Sequence, residues 1–438
     1  MEKSMYPTCA ASPAMERAIG LWSRIYRNQS PWLIPGQVES LNLGAAIAGK
    51  LAKLVTVEMQ AEVVGGKRAQ FLNDQLAPLL AGMRRYVEYA CAKGGVVFKP
   101  YPEGRGLAVD VIQAESFFPL AFNSRGQVLS AVFAEQKREG REVFTKWETQ
   151  EPVKGGYQIT NRVFVGKNPY GPGQEIPIGA SPWKGLEAKA VLEGVTEPLF
   201  AYFRIPQANP IDPHSPLGVS VFANAVELMR EADKQYSRLL WEYEGGELAI
   251  DADRDALRLT EDHWELPKGK ERLFRGLDIQ GREGDLYQVF APRLRDDSYY
   301  QGLNRILTRI EYNCGLSTGS LAEPKYVNRT ATEIRESKQD LYATVVDIQR
   351  ALQTALTQLV GAMDTWASLL HLAPRGEYGL AFGFDDSIVA DAEEARARDL
   401  ADVAAGILQK YEYRMRWYGE DETVARKRCG VEEGGERA

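Results

Sequence analysis

The sequence contains few of the residues that build metal centres and disulfide frameworks. Its 438 residues include four cysteines and three histidines: Cys9, Cys91, Cys314, Cys429, His214, His263 and His371. The cysteines lack C-x-x-C spacing, and no two histidines lie within one helical turn, so the sequence predicts neither a zinc site nor a disulfide framework. We therefore expect no metal, no cofactor and a reducing, cytoplasmic setting.

Long hydrophobic runs are absent as well. No stretch approaches the roughly 18 consecutive apolar residues that are needed to span a bilayer. The segment from Met1 to Ala10 lacks the basic and then apolar pattern of an export signal. We expect a protein that is neither exported nor embedded in a membrane.

The chain has no excess of basic residues. Its formal net charge is −7 and its sequence pI is about 5.4. This balance argues against a protein that clamps nucleic acid through a broad basic face. It is compatible with a wall along which DNA slides, because each phosphate neutralised by Lys or Arg adds affinity and holds the DNA back. The same charge equally fits a protein that never meets DNA.

What is present indicates an α+β protein of two or three domains. Residues 1 to 217 combine helical periodicity with short, glycine-punctuated strands. Helices are predicted at 15 to 26, 40 to 57 and 70 to 92, and strands at 96 to 98, 128 to 133, 144 to 147 and 157 to 165. The Pro- and Gly-rich segment from Lys167 to Ser181 is predicted to be a loop.

Two amphipathic helices flank a charged insert. Apolar residues recur at three, four or seven positions from Val219 to Tyr243, before Gly245-Gly246, and a second stripe covers about 298 to 313. The insert from 248 to 296 holds 11 Asp and Glu against 9 Lys and Arg, with strand-like pieces at 248 to 250 and 286 to 290. This pattern predicts a small charged subdomain carried on a helix pair.

The clearest pattern is an apolar stripe from Ile334 to Leu370, which predicts one long helix. Thr330-x-x-Glu333 supplies a capping box at its start, and Pro374 ends it, so about 40 residues span roughly 60 Å. The irregular stretch from Gly315 to Arg329 is predicted to be a loop. After the long helix we expect a strand at 378 to 384, a helix at 391 to 411 and a fraying tail at 424 to 438.

Two motifs imitate catalytic sites. Gly315 to Gly319 matches G-x-S-x-G around Ser317, but a helix and not a strand is predicted before it, and the only downstream histidine is His371. Gly44 to Leu51 resembles a phosphate-binding loop, but Leu51 replaces the hydroxyl residue that would bind magnesium, which favours a core helix. We expect no enzyme, and an activity built around Ser317 is the weakest alternative.

Five segments, taken in order, resemble the portal proteins of tailed bacteriophages of the long-tailed siphophage type. They are Trp22 to Trp32, Gly94 to Val97, Pro206 to Phe222, Cys314 to Ser320 and Arg329 to Glu333. The resemblance implies the portal fold, with these parts: an α/β wing (1–217), a stem helix (218–247), a clip (248–296), a second stem helix (297–317), a tunnel loop (318–330), a long wing helix (331–372), a wing strand (373–385) and a short helical crown with its tail (386–438).

The same resemblance implies a cyclic ring, normally of twelve copies, at one vertex of the virion capsid. Such a ring passes double-stranded DNA during packaging and ejection, and its partners are the terminase large subunit, head-completion or adaptor proteins, and the major capsid and scaffolding proteins. The candidate DNA-channel residues are Glu323, Lys325, Tyr326, Asn328 and Arg329 in the loop and Arg305 and Arg309 on the second stem helix.

Two alternatives remain open at this point. Lys325 and Arg329 are equally well interpreted as solvated loop charges. The protein as a whole is alternatively a different oligomeric structural component of a phage head or tail, without DNA in its bore.

Overall fold

The computed structural model describes residues 11–57, 59–168, 173–253, 258–260, 263–265, 273–277, 287–323, 331–384 and 392–429. Helix and sheet are mixed throughout, which confirms the α+β class. Within these residues, no helix has the length and apolar character to cross a membrane.

Four helices and a short strand form the N-terminal part: α1 Pro13–Tyr26, α2 Leu43–Thr56, β1 Gln60–Gly65, α3 Lys67–Ala81 and α4 Met83–Lys93. One face of α2 is buried, as predicted for a core helix. The single helix predicted over 70 to 92 is wrong, because Gly82 separates α3 from α4. A Cβ at Gly82 would lie 3.0 Å from the Tyr86 ring, so a larger residue would crowd this junction.

Two antiparallel sheets follow. Their strands are β2 Gly95–Glu103, β3 Gly106–Gln113, β4 Phe117–Phe122, β5 Val128–Glu139, β6 Glu142–Val153, β7 Gly156–Gly166, β8 Gln174–Ile176, β9 Lys189–Glu193 and β10 Ala201–Arg204. The first sheet has the order β10-β2-β3, and the second has the order β4-β5-β6-β7-β8 with β9 paired to β7. The predicted loop at 167 to 181 was therefore wrong at β8, whose three residues pair with Val163–Val165.

A buried ion pair joins the two sheets. Lys99 on β2 donates to Glu148 Oε2 on β6 at 2.7 Å, and Lys146 lies 3.6 Å from the same oxygen. Lys99 and Glu148 are 6% and 8% exposed. Burial opposes the charged form of Glu148, but Lys99 and Lys146 outweigh it and lower the pKa of this carboxyl below its usual range.

The helix predicted from Val219 begins later. Residues 219 to 222 form an irregular buried segment in which Val221 N–H donates to Cys91 O at 2.9 Å, and α5 spans Val226–Gly245. At the start of this segment Gly218 touches the backbone of Gly94, whose φ is +91°, so neither position has room for a side chain. Val219 and Phe222 have the spacing of a helical stripe, but they are buried in the core as part of an irregular segment.

The insert separates α5 from α6, Asp296–Asn313. Its described strands are β11 Ala249–Asp253, β12 Arg258–Thr260, β13 His263–Glu265, β14 Phe274–Leu277 and β15 Tyr287–Phe290. β11 lies between β14 and β15, and it pairs with β15 in the antiparallel sense. Both strand-like pieces predicted inside the insert are confirmed.

The long predicted helix is α7, Ala331–Leu369. Its stripe of buried residues packs against the N-terminal helices and β2, and Arg68 of α3, itself 1% exposed, donates to Asp364 Oδ1 at 2.6 Å. After α7, β16 Tyr378–Gly383 pairs with β1, which confirms the predicted strand. Thr330, the proposed first residue of the capping box, lies outside the described residues.

Three short helices close the described chain: α8 Ala392–Ala404, α9 Lys410–Tyr418 and α10 Glu422–Arg428. The single helix predicted over 391 to 411 is wrong, because the chain turns at Gly406 (φ +76°) and restarts with a capping box between Gln409 and Glu412. The prediction of a fraying tail is wrong for 424 to 428, which continue α10, and 430 to 438 lie outside the described residues.

Candidate functional site

Helices α5 and α6 form an antiparallel hairpin. At its base Asn313 Nδ2 donates to Asn224 O at 3.2 Å, and in the middle Gln235 Nε2 donates to Tyr299 O at 3.2 Å. At its outer end Arg295 forms a bidentate pair with Glu242, with distances of 3.1 and 2.7 Å. Hydrogen bonds along the full length hold the two helices in register and bring the two ends of the insert together.

Large apolar side chains are exposed on this hairpin. Trp241 and Tyr312 are 71% and 72% exposed, and Tyr243 and Tyr300 on the same helices are also on the surface. A set of exposed aromatic residues on one structural unit is typical of a surface that another molecule covers. The hairpin is therefore a candidate interface.

Arg305 and Arg309 lie one helical turn apart on α6, and both are exposed. Arg309 stands over the Tyr312 ring at 5.8 Å, and neither guanidinium forms an ion pair with a described residue. From 298 to 310 the α6 sequence contains no Asp or Glu. On α5, by contrast, Glu227 pairs with Arg230 and Glu231 pairs with Lys234. The exposed face of α6 thus carries two positive charges that form no ion pair with the described residues.

Glu311 fixes the conformation of the segment that follows α6. Its carboxylate is buried, at 1% exposure, and accepts hydrogen bonds from the N–H groups of Gly319, Leu321 and Ala322 at 3.1, 2.5 and 2.8 Å. Hydrogen bonds to an ionised acceptor are stronger than neutral ones. The segment from Gly315 to Ala322 is therefore a folded structure anchored on α6.

Gly315 makes this turn possible. Its φ is +65°, and a Cβ there would collide with Thr344 of α7. The turn is thus held between two helices. Ser317, the candidate nucleophile of the hydrolase alternative, has its Oγ 3.1 Å from Ser320 Oγ, and the motif follows a helix as the sequence predicted.

Glu323 is the one candidate loop residue that the structure describes. It is exposed, its main chain is hydrogen-bonded to Asn304, and the Tyr300 hydroxyl donates to its carboxylate. The other candidates, Lys325, Tyr326, Asn328 and Arg329, lie outside the described residues. The structure thus brings Glu323 beside α6, the helix that also carries Arg305 and Arg309.

Asp233 fastens α5 to the N-terminal segment. Its carboxylate accepts from Trp32 Nε1 and from Leu41 N, both at 2.8 Å, and burial raises the pKa of this carboxyl. Sequence reasoning missed Asp233, Glu311 and Asn304. One feature of the sequence could have indicated Glu311. It is a charged residue four positions after Leu307, on the apolar stripe of α6, and it comes just before a glycine-containing loop.

Groups that could hold a metal ion are not found in the described part of the chain, where no three His, Cys, Asp or Glu side chains are suitably placed. Cys91 and Cys314 are buried, and burial raises the pKa of both thiols, which keeps them protonated and unreactive at neutral pH.

No family model matches the chain, and no curated protein matches it. Among solved structures, the chain is similar to one described as the neck of a native GTA particle computed with C12 symmetry. The two are 14% identical, the match covers 94% of this chain and 96% of that chain, and the TM-score is 0.41. A TM-score this low does not establish a shared fold or function.

Proposed function

We propose that this chain is a portal subunit, which assembles into a cyclic ring of about twelve copies at one vertex of a phage capsid and forms the channel for double-stranded DNA. In this assignment the α5/α6 hairpin is the stem, residues 248–296 are the clip, and residues 318–330 are the tunnel loop. Residues 1–217 with α7 and β16 are the wing, and the C-terminal helices are the crown.

The observation that supports the proposal is the exposure of two large aromatic side chains on the hairpin, Trp241 near its outer end and Tyr312 near its base. Trp241 and Tyr312 are each more than two-thirds exposed in the folded chain, so the described residues of the same chain do not cover them. Copies arranged head to tail around an axis would bury such side chains in one repeated heterologous contact. A ring repeats every exposed charge as well, so Arg305 and Arg309 would become two circles of positive charge.

The first test is the size and shape of the assembly. We expect purified protein to form rings with a central channel in negative-stain images. We expect Trp241→Ala with Tyr312→Ala to leave the fold intact, because neither residue is buried, but to shift the protein to smaller species in sedimentation velocity. The matched control is Leu186→Ala, at a position 45% exposed. A folded monomer at every concentration and salt tested would contradict the proposal.

The second test separates a DNA channel from an oligomeric head or tail protein with no DNA in its bore, which the net charge of −7 also fits. Lys325→Ala with Arg329→Ala is expected to leave the ring intact and to change DNA packaging or retention, because both charges lie in the proposed tunnel loop. Normal packaging by this variant removes the proposed role of the loop. Rings that pass no DNA support the alternative.

A further inference from the structure

A recess of about 380 Å³ lies where the turn between β4 and β5, the end of β10 and the C-terminal half of α7 meet. The proposed function assigns it no role. Its polar and charged lining residues include Arg125, Gln127, Glu197, Arg204 and Gln358, with apolar walls from Val128, Pro198 and Phe200.

Arg204 is held in this recess with one donor unsatisfied. Its aliphatic stem packs on Gly218, where an added Cβ would lie 2.9 Å from Arg204 Cγ. Its Nε is buried and has no hydrogen-bond partner among the described residues. A buried donor without an acceptor is destabilising, and more so when it belongs to a charged group. Arg204 Nε is thus available to an acceptor from outside the described residues, such as a water molecule or a bound anion.

The charge of the recess favours an anion. Arg125 and Arg204 contribute two positive charges and Glu197 one negative charge, and none of the three forms an ion pair with a described residue. Tyr202 also lines the recess, and its hydroxyl accepts the N–H of Gly218 at 3.0 Å. Burial raises the pKa of Tyr202 to about 12, so this residue adds no negative charge to the recess at neutral pH.

Gly361 keeps the recess open. It lies inside α7, where glycine is the least favourable residue after proline. A Cβ at this position would meet nothing within 4 Å, so helix packing does not require glycine there. A side chain at 361 would instead occupy the recess that Gly361 lines.

We propose that this recess binds a small organic oxyanion, a carboxylate or a phosphate ester with a compact apolar part, through Arg204 and Arg125. Planar guanidinium groups match the paired oxygens of both anions, and the apolar walls accommodate the rest of the ligand. This proposal does not depend on the ring.

Calorimetric titration of the full chain with benzoate, phenyl phosphate and uncharged benzyl alcohol tests it. We expect one molecule of at least one oxyanion per chain and no binding of benzyl alcohol. Benzoate alone, phenyl phosphate alone or both would each support the site and identify the anion class. Arg204→Gln should weaken binding by about tenfold or more.

Two further variants keep the test decisive if Arg204→Gln does not fold. Gly361→Leu should abolish binding without lowering the thermal midpoint, because it fills the recess and improves helix propensity. Arg125→Gln should weaken binding, while Arg105→Gln, in the exposed β2–β3 turn, should bind as the wild type does. Failure of both oxyanions to bind the folded wild type, or unchanged binding in Gly361→Leu and Arg125→Gln, would overturn the proposal.

Discussion

Asn304 holds Glu323 by both of its main-chain groups. Asn304 Nδ2 donates to Glu323 O at 3.0 Å, and Glu323 N donates to Asn304 Oδ1 at 2.8 Å. Together with the three hydrogen bonds accepted by Glu311, which lies further along α6, this pairing fixes the path of the chain up to residue 323. These hydrogen bonds therefore attach the start of the proposed tunnel loop to α6.

Replacing Glu311 by alanine should destabilise the chain. The change leaves the N–H groups of Leu321 and Ala322 without an acceptor and opens a cavity, so we expect the free energy of unfolding to fall by about 3 kcal/mol in urea denaturation. Glu311→Gln should cost less, because it retains one acceptor oxygen. Glu139→Ala, at the exposed end of β5, is the control and should change the value by less than about 0.5 kcal/mol. A loss below about 1 kcal/mol for Glu311→Ala would show that the turn does not depend on this carboxylate.

Arg305→Gln with Arg309→Gln should weaken the attraction of the assembled ring for duplex DNA. Every phosphate that is no longer neutralised reduces counterion release, so we expect lower affinity and a shallower salt dependence between about 50 and 200 mM salt, measured by fluorescence anisotropy. Arg138→Gln with Arg141→Gln removes the same charge from the exposed end of β5 and the turn that follows it. If the two double variants bind DNA alike, α6 does not face the channel.

Lys99→Met should lower the free energy of unfolding most at neutral pH. In the wild type, Glu148 has a lowered pKa, so its stabilising contribution is present above the ordinary Glu value of 4.5 and is lost as the pH falls further. Without Lys99, the buried carboxylate is poorly neutralised, and we expect a loss of about 3–5 kcal/mol at pH 7.

Lowering the pH protonates Glu148 and so removes its buried negative charge. The gap in the free energy of unfolding between wild type and Lys99→Met should therefore shrink from pH 7 to pH 4, as followed by urea denaturation at each pH. Lys154→Met, in the exposed turn between β6 and β7, is the control. A gap that stays constant over this range would mean that Glu148 is not the group responsible.

Removal of the insert should leave the rest of the fold intact. Gly246 lies against Leu294 and Glu242 pairs with Arg295, so residues 247 and 294 are close enough for a short Gly-Ser linker. We expect a protein lacking 248–293 to keep a cooperative thermal transition and to lose binding of the terminase large subunit in a pull-down. Retained terminase binding would place the docking surface elsewhere.

Sequence periodicity located the elements whose burial follows a regular repeat. The stripe of α7 predicted its extent well, because Leu352, Leu356 and Leu359 face one continuous core. The same reasoning failed at Gly82, since Leu79 and Met83 continue the apolar stripe across the break between α3 and α4. It failed at Val219 because an irregular segment buried on all sides has the same spacing as a helix.

The site was less predictable than the fold. Arg305 and Arg309 were proposed as channel residues from the resemblance. Both are exposed on α6, and their place in a DNA channel stays a prediction. Glu311 and Asn304 act through hydrogen bonds with backbone groups that lie 8 to 19 residues further along the chain, and no local pattern reports those distances.

The pairing of β1 with β16 has a consequence for synthesis. Gly65 lies opposite Tyr378, so one strand emerges from the ribosome when more than 300 residues have still to be translated. At about 5–20 residues per second, β1 waits roughly 15–60 s for its partner. Throughout that interval the edge of β1 lacks this partner and can pair with strands of other nascent chains.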